Sequence, residues 1–152
     1  MKSNHLKKSI LQHLYSVVDQ RIEAANEEIQ SINDSKSNET KSSAGDKYET
    51  GMAMLQMEEQ KANVQLAKAK EFKQVLSRID SSFVSDTVQL GSLIETNQGL
   101  FYFAIALGKI KVMNKEIFVL SIGSPLGHLL KGQKIGYEAK LNNRTIQIND
   151  LQ

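Results

Sequence analysis

From Leu11 onward the apolar residues Leu11, Tyr15, Val18, Ile22, Ala25, Ile29 and Ile32 recur at alternating steps of four and three, the spacing of a coiled-coil seam. A second, looser series runs Leu55, Ala62, Leu66, Ala69, Leu76, with Glu59 and Lys73 at intermediate seam positions and Phe72 and Ile79 flanking. Each series predicts a helix of roughly 28 to 34 residues, about 40 to 50 Å long at 1.5 Å per residue. Between them, residues 34–45 are polar apart from Ala44, which predicts a connecting loop or frayed helix ends. Two helices joined in this way form an antiparallel hairpin.

After Asp80 the period changes. Val88 to Leu90 with Leu93 and Ile94 predict a first strand, Leu100 to Leu107 a buried second, and Glu116 to Ile122 a third. Residues 96–99 read as the turn between the first two. Ala139 and Leu141, then Ile146 and Ile148, alternate with polar residues around Asn142 and Asn143, an amide pair suited to the positive φ of a tight hairpin. Between the third strand and this hairpin, Ser124 supplies a helix N-cap, Pro125 takes the first helical position and Gly132 marks the stop. The expectation is an α+β chain. Residues 1–80 form an antiparallel two-helix coiled-coil hairpin with its tip around residues 34–49. Residues 81–152 form a small antiparallel β domain of about five strands with one short helix.

Composition narrows the function classes. The 152 residues are 40% hydrophobic and 24% charged, enough for a core, while the absence of Cys excludes disulfides and thiolate metal sites. A net charge of +2, with both signs interspersed, argues against a binder held mainly by neutralising nucleic-acid phosphates. Lys2, Lys7 and Lys8 are not followed by an uninterrupted apolar core of the signal-peptide kind, and no window approaches a membrane span. A cytoplasmic protein without membrane attachment is expected.

The run from Ser124 through Pro125, Leu126, Gly127 and Gly132 to Gly136 resembles the C-terminal signature of the bacterial Gre family of transcript cleavage factors, with the glycines in register. It departs at Lys131, where that family commonly has Leu, and at Tyr137, where it usually has Asp. Gly45, Asp46 and Glu49 are similar to the family's Gly-Asp-Leu-Lys-Glu at the hairpin tip, and Glu58-Glu59-Gln60 stands where a Glu-Glu-Gln run is frequent. The resemblance extends over nearly the whole chain in order and proportions, and it implies an FKBP-like C-terminal domain.

The resemblance further implies a transcription elongation factor. Such a factor binds bacterial RNA polymerase at its secondary channel, through a surface that includes Ser124, Pro125, Leu126 and Gly127. It stimulates hydrolysis of backtracked nascent RNA near its 3′ end and lacks a complete active site of its own. Asp46 and Glu49 take the two functional acidic positions. They would hold a Mg²⁺ shared with the polymerase, with none expected on the free protein, which should be a monomer. Mg²⁺ prefers carboxylates, waters and phosphate oxygens, and carboxylates at i and i+3 share one helical face.

Plainer readings stand beside these. Asp46 and Glu49 also fit a capping box that starts the second helix, with Ser43 as a competing cap. Ser124 and Pro125 have a structural account as a helix start. His5, His13 and His128 lack a spaced partner for a metal, and the run Phe101-Tyr102-Phe103 reads as core. Lys36, Lys41 and Lys47 could meet RNA phosphate or keep the tip soluble. Two other functions compete: a Gre-like regulator or inhibitor that binds polymerase without cleavage, and an FKBP-type isomerase or chaperone module.

Overall fold

The computed structural model describes residues 2–42 and 45–152. Two long helices, α1 (Lys2–Ser42) and α2 (Asp46–Ser77), precede a six-stranded sheet and one short helix. None of the described helices is long and apolar enough to cross a membrane. The chain divides into two compact units, one comprising Met1–Tyr15 with Gln74–Gln152, the other Ser16–Lys73.

The Ser16–Lys73 unit is an antiparallel helical hairpin. Two ion pairs fix its direction: Asp19 meets Lys73 at 2.7 Å, and Lys36 meets Glu59 at 2.6 Å, so ascending numbers on α1 match descending numbers on α2. On α1, Val18, Ala25 and Ile32 are buried, with Ile22, Ile29 and Lys36 half-buried; on α2, Ala62 and Ala69 are buried, with Leu55, Glu59 and Leu66 half-buried. The seam is therefore where the heptad spacing places it. One expectation needs correction. Most of the polar stretch expected as a connecting loop or frayed helix ends is continuous helix, since α1 runs through Ser42. That stretch has no apolar face to signal a helix and only Lys36, Glu39 and Lys41 among residues 34–42 are good helix formers; the helix continues through it from the seam, with Lys36 paired to Glu59.

In the other unit the buried stripe of α1 is Leu6, Lys7, Ile10 and Leu14, leaving Leu11 and Tyr15 half-buried. The face is wider than a coiled-coil seam, as it is for a helix packed in a globular core. Lys7 is buried and its Nζ donates to the Phe83 carbonyl at 2.9 Å. Desolvation lowers the Lys7 pKa from its ordinary value, and the Asp80 charge works against that shift.

The sheet comprises β1 (Leu93–Thr96), β2 (Gly99–Phe103), β3 (Gly108–Val112), β4 (Lys115–Leu120), β5 (Glu138–Leu141) and β6 (Arg144–Leu151), in the order β3-β4-β2-β1-β6-β5. It is mixed, not antiparallel: β2 and β4 run parallel, with Phe101 beside Phe118. The chain leaves β2, forms β3 at the sheet edge and turns back into β4 through Met113 and Asn114, both at positive φ. This edge strand is one more than the residues predicted. Its Lys109 and Lys111 are exposed and only Ile110 and Val112 supply apolar alternation.

Val88 to Leu90 is not a strand. Val88 instead bonds the loop after the short helix, its N–H to the Gln133 carbonyl and its carbonyl to the Gly132 N–H. The Asn142-Asn143 turn forms as its residues predict, both at positive φ. Asn97 ties the β1–β2 turn to β6, its Nδ2 donating to the Thr145 carbonyl and its Oδ1 accepting from the Gln147 N–H.

Both faces of β2 are covered. Phe103 joins a core of Val88, Ile94, Leu120, Ile146 and Ile148, while Tyr102 is fully buried on the opposite face. Among the described residues its hydroxyl has no hydrogen-bond partner, and burial pushes the phenol well above its usual pKa. Removing an orphaned buried hydroxyl while keeping the ring relieves a desolvation cost. Tyr102→Phe is therefore expected to raise stability by about 1 kcal/mol in denaturant unfolding, the reverse of the usual sign for a core substitution.

Candidate functional site

The turn of the hairpin sets the first candidate. Gly45 has φ of 71°, a left-handed conformation that costs glycine little, and its carbonyl accepts from the N–H groups of Tyr48 (3.1 Å) and Glu49 (3.3 Å). Gly45 is thus the capping position, and Asp46 is the first residue of α2. In a capping box the acid sits three residues after the cap; here that position is Tyr48, and Glu49 falls one further along. With Gly45 at the cap, the Asp46 backbone is the first helical residue and not the N-cap. Asp46 and Glu49 instead occupy the first turn of the helix, three residues apart, where unsatisfied N–H groups favour negative charge. The Glu49 side chain is exposed. Ser43 lies outside the described residues, as do the side chains of Asp46 and Lys41.

Of the other tip residues, Lys47 is exposed, whereas Lys36 is engaged by Glu59. That contact also accounts for one member of the Glu58-Glu59-Gln60 run, leaving Glu58 and Gln60 exposed. The role of Lys36 escaped sequence reasoning, although its position seven residues after Ile29 is a signal that it continues the seam.

The second candidate is α3 (Pro125–Leu130) and the strand exit before it. Ser124 Oγ accepts from the Gly127 N–H at 3.0 Å and donates to the Ser121 carbonyl at 2.7 Å, so this hydroxyl both caps the helix and anchors it. Leu126 and Gly127 are buried, the latter so close to the preceding chain that a Cβ would lie 2.4 Å from the Ile122 carbonyl oxygen. Three of the four expected contact residues thus have duties within the fold. Pro125 alone is exposed.

Beside α3 a groove of about 640 Å³ opens, with Phe101, Phe118, Leu126, Leu141 and Ile146 among its walls. The Phe101 and Phe118 rings meet edge to face at 5.9 Å, and Phe118 keeps 44% of its surface exposed. Lys109 and Arg144 bring positive charge to it, the former 3.6 Å from Glu116. An apolar floor with charged edges suits another protein's surface better than a small polar metabolite. His5, His13 and His128 are all exposed.

No protein-family model matches this chain, and no curated protein matches it.

Proposed function

We propose that this chain is a Gre-type elongation factor that docks on bacterial RNA polymerase, enters its secondary channel with the hairpin, and stimulates hydrolysis of backtracked RNA by the polymerase. One observation carries the reading: Asp46 and Glu49 stand in the first turn of α2, immediately after the hairpin turn. The motif resemblance of residues 45–49 and 124–136 supports it, as does the order of a hairpin followed by a sheet with one short helix. In this reading the C-terminal sheet is FKBP-like and docks through Pro125 and the groove beside Leu126.

The donor set fits Mg²⁺ as a shared ligand: two carboxylates supply hard oxygens but leave most of an octahedral shell to other groups. Asp46 and Glu49 would contribute those oxygens. The cation, when bound, would favour formation of hydroxide and neutralise charge on the scissile phosphate. The chain's own part is placement, because the helix start holds the backbone of the two acids at a fixed i, i+3 spacing.

The test is to add the protein to stalled, backtracked elongation complexes in Mg²⁺ and to follow the RNA on a gel. Shortened transcripts, released faster than by polymerase alone, are expected. Polymerase binding with no shortening would sink the cleavage claim and leave a channel-binding regulator. Absence of binding to core polymerase would remove the whole reading.

A further inference from the structure

We propose that Lys36 and Glu59 are positioning residues that set the register of the hairpin and so fix where its turn falls relative to Asp46 and Glu49. The register claim stands on the hairpin alone; its consequence for cleavage rests on the function proposed above.

Lys36 follows Ile29 by seven residues and Ile32 by four; Glu59 follows Met52 by seven and precedes Leu66 by seven. Both therefore occupy seam positions, where an apolar residue is the ordinary choice. They meet at 2.6 Å with side chains only 23% and 30% exposed. The second pair contrasts with them. Lys73 and Asp19 are about half exposed, at 49% and 51%, and Asp19 lies one residue beyond the seam position of Val18.

The remaining seam does little to choose a register. A displacement of α2 by one heptad would set Ala62 beside Ala25, Leu55 beside Ile32 and Leu66 beside Ile22, each an apolar match. Both ion pairs would object: Lys36 would then face Met52 and Glu59 would face Ile29, each charge stripped of its partner within the seam, while Lys73 would leave Asp19 at a half-exposed position where water replaces the partner at less cost. Residues 34–43 contain no apolar side chain, so no hydrophobic contact of that stretch selects one alignment over the other. A polar seam pair that forbids alternative alignments at some cost in stability is a known device of coiled coils.

The experiment compares three full-length proteins: the parent, Lys36→Leu with Glu59→Leu, and the exchanged pair Lys36→Glu with Glu59→Lys. Residue-resolved amide hydrogen exchange reads the helix at residues 37–42, thermal unfolding reads stability, and transcript shortening reads function. In the Leu/Leu protein the 37–42 amides are expected to exchange at least ~10-fold faster while the melting temperature holds or rises. The exchanged pair should restore protection, and cleavage, if the parent cleaves, should follow protection and not stability. Unchanged protection in the Leu/Leu protein, or protection lost in the exchanged pair, overturns the register claim. A parent that never cleaves overturns the function proposed above, and the exchange measurement still decides this one.

Discussion

Replacing Asp46 and Glu49 together with Ala is expected to reduce stimulated RNA cleavage about 100-fold or more, with affinity for the polymerase unchanged. The size follows from the chemistry: charge stabilisation by a metal at a phosphoryl centre amounts to several kcal/mol, and each 1.36 kcal/mol is tenfold in rate. The selectivity follows from the site. Glu49 is exposed and Asp46 is the first helical residue, so neither belongs to the seam that holds the hairpin. Removing two acids from the first turn of α2 loses only the favourable interaction with the helix N-terminus, about 0.3 to 1 kcal/mol each. Asp46→Asn with Glu49→Gln keeps shape and removes charge, and should lose as much cleavage. A doubly substituted protein that cleaves as well as its parent would show that these acids do no chemistry.

Gly127→Ala is expected to be among the most damaging single substitutions in the chain. On propensity alone it should help, because Gly127 lies inside α3 and Ala is favoured there by about 1 kcal/mol. Sterics decide otherwise. The added Cβ would lie 2.4 Å from the Ile122 carbonyl oxygen, 2.6 Å from its carbon and 2.7 Å from the Ser121 carbonyl oxygen. All three are backbone atoms and cannot rotate aside. Helix α3 must then lift, taking Leu126 and Leu130 out of the core. A loss of about 3 kcal/mol or more is expected, or a fall of roughly 10 to 20 °C in the melting temperature of a unit this size. Gly123→Ala is the control, since the nearest atom there is the Ser121 hydroxyl at 3.9 Å and little change should follow. Differential scanning calorimetry of both variants checks the pair.

These cases show which parts of the molecule local chemistry announces. The hairpin was legible because a seam writes itself every three to four residues, and Val18, Ala25, Ile32, Ala62 and Ala69 are buried as their spacing requires. So was α3, whose cap Ser124, proline Pro125 and terminating Gly132 all fall within nine residues. The β3 strand was hidden by its lysines and by a turn made from Met113 and Asn114. The parallel pairing of β2 with β4 is a nonlocal choice that neither strand's residues record. Val88 looked like a strand residue because it is apolar and buried, but its backbone bonds run to the loop after α3.

At the candidate site, resemblance picked out Asp46 and Glu49. Backbone hydrogen bonds place the cap at Gly45, one residue before the acid that the sequence offers for it. From the sequence alone Lys36 reads as a contact for RNA or an aid to solubility. Its engagement with Glu59 became visible only when the two helices were aligned.

The sheet's two boundary strands carry one last consequence. Lys109 and Lys111 line one margin, Glu138 and Lys140 the other, and all four keep their water. A stray segment trying to lengthen the sheet at either rim would have to dehydrate ammonium or carboxylate groups on arrival. That dehydration cost opposes strand addition at both rims.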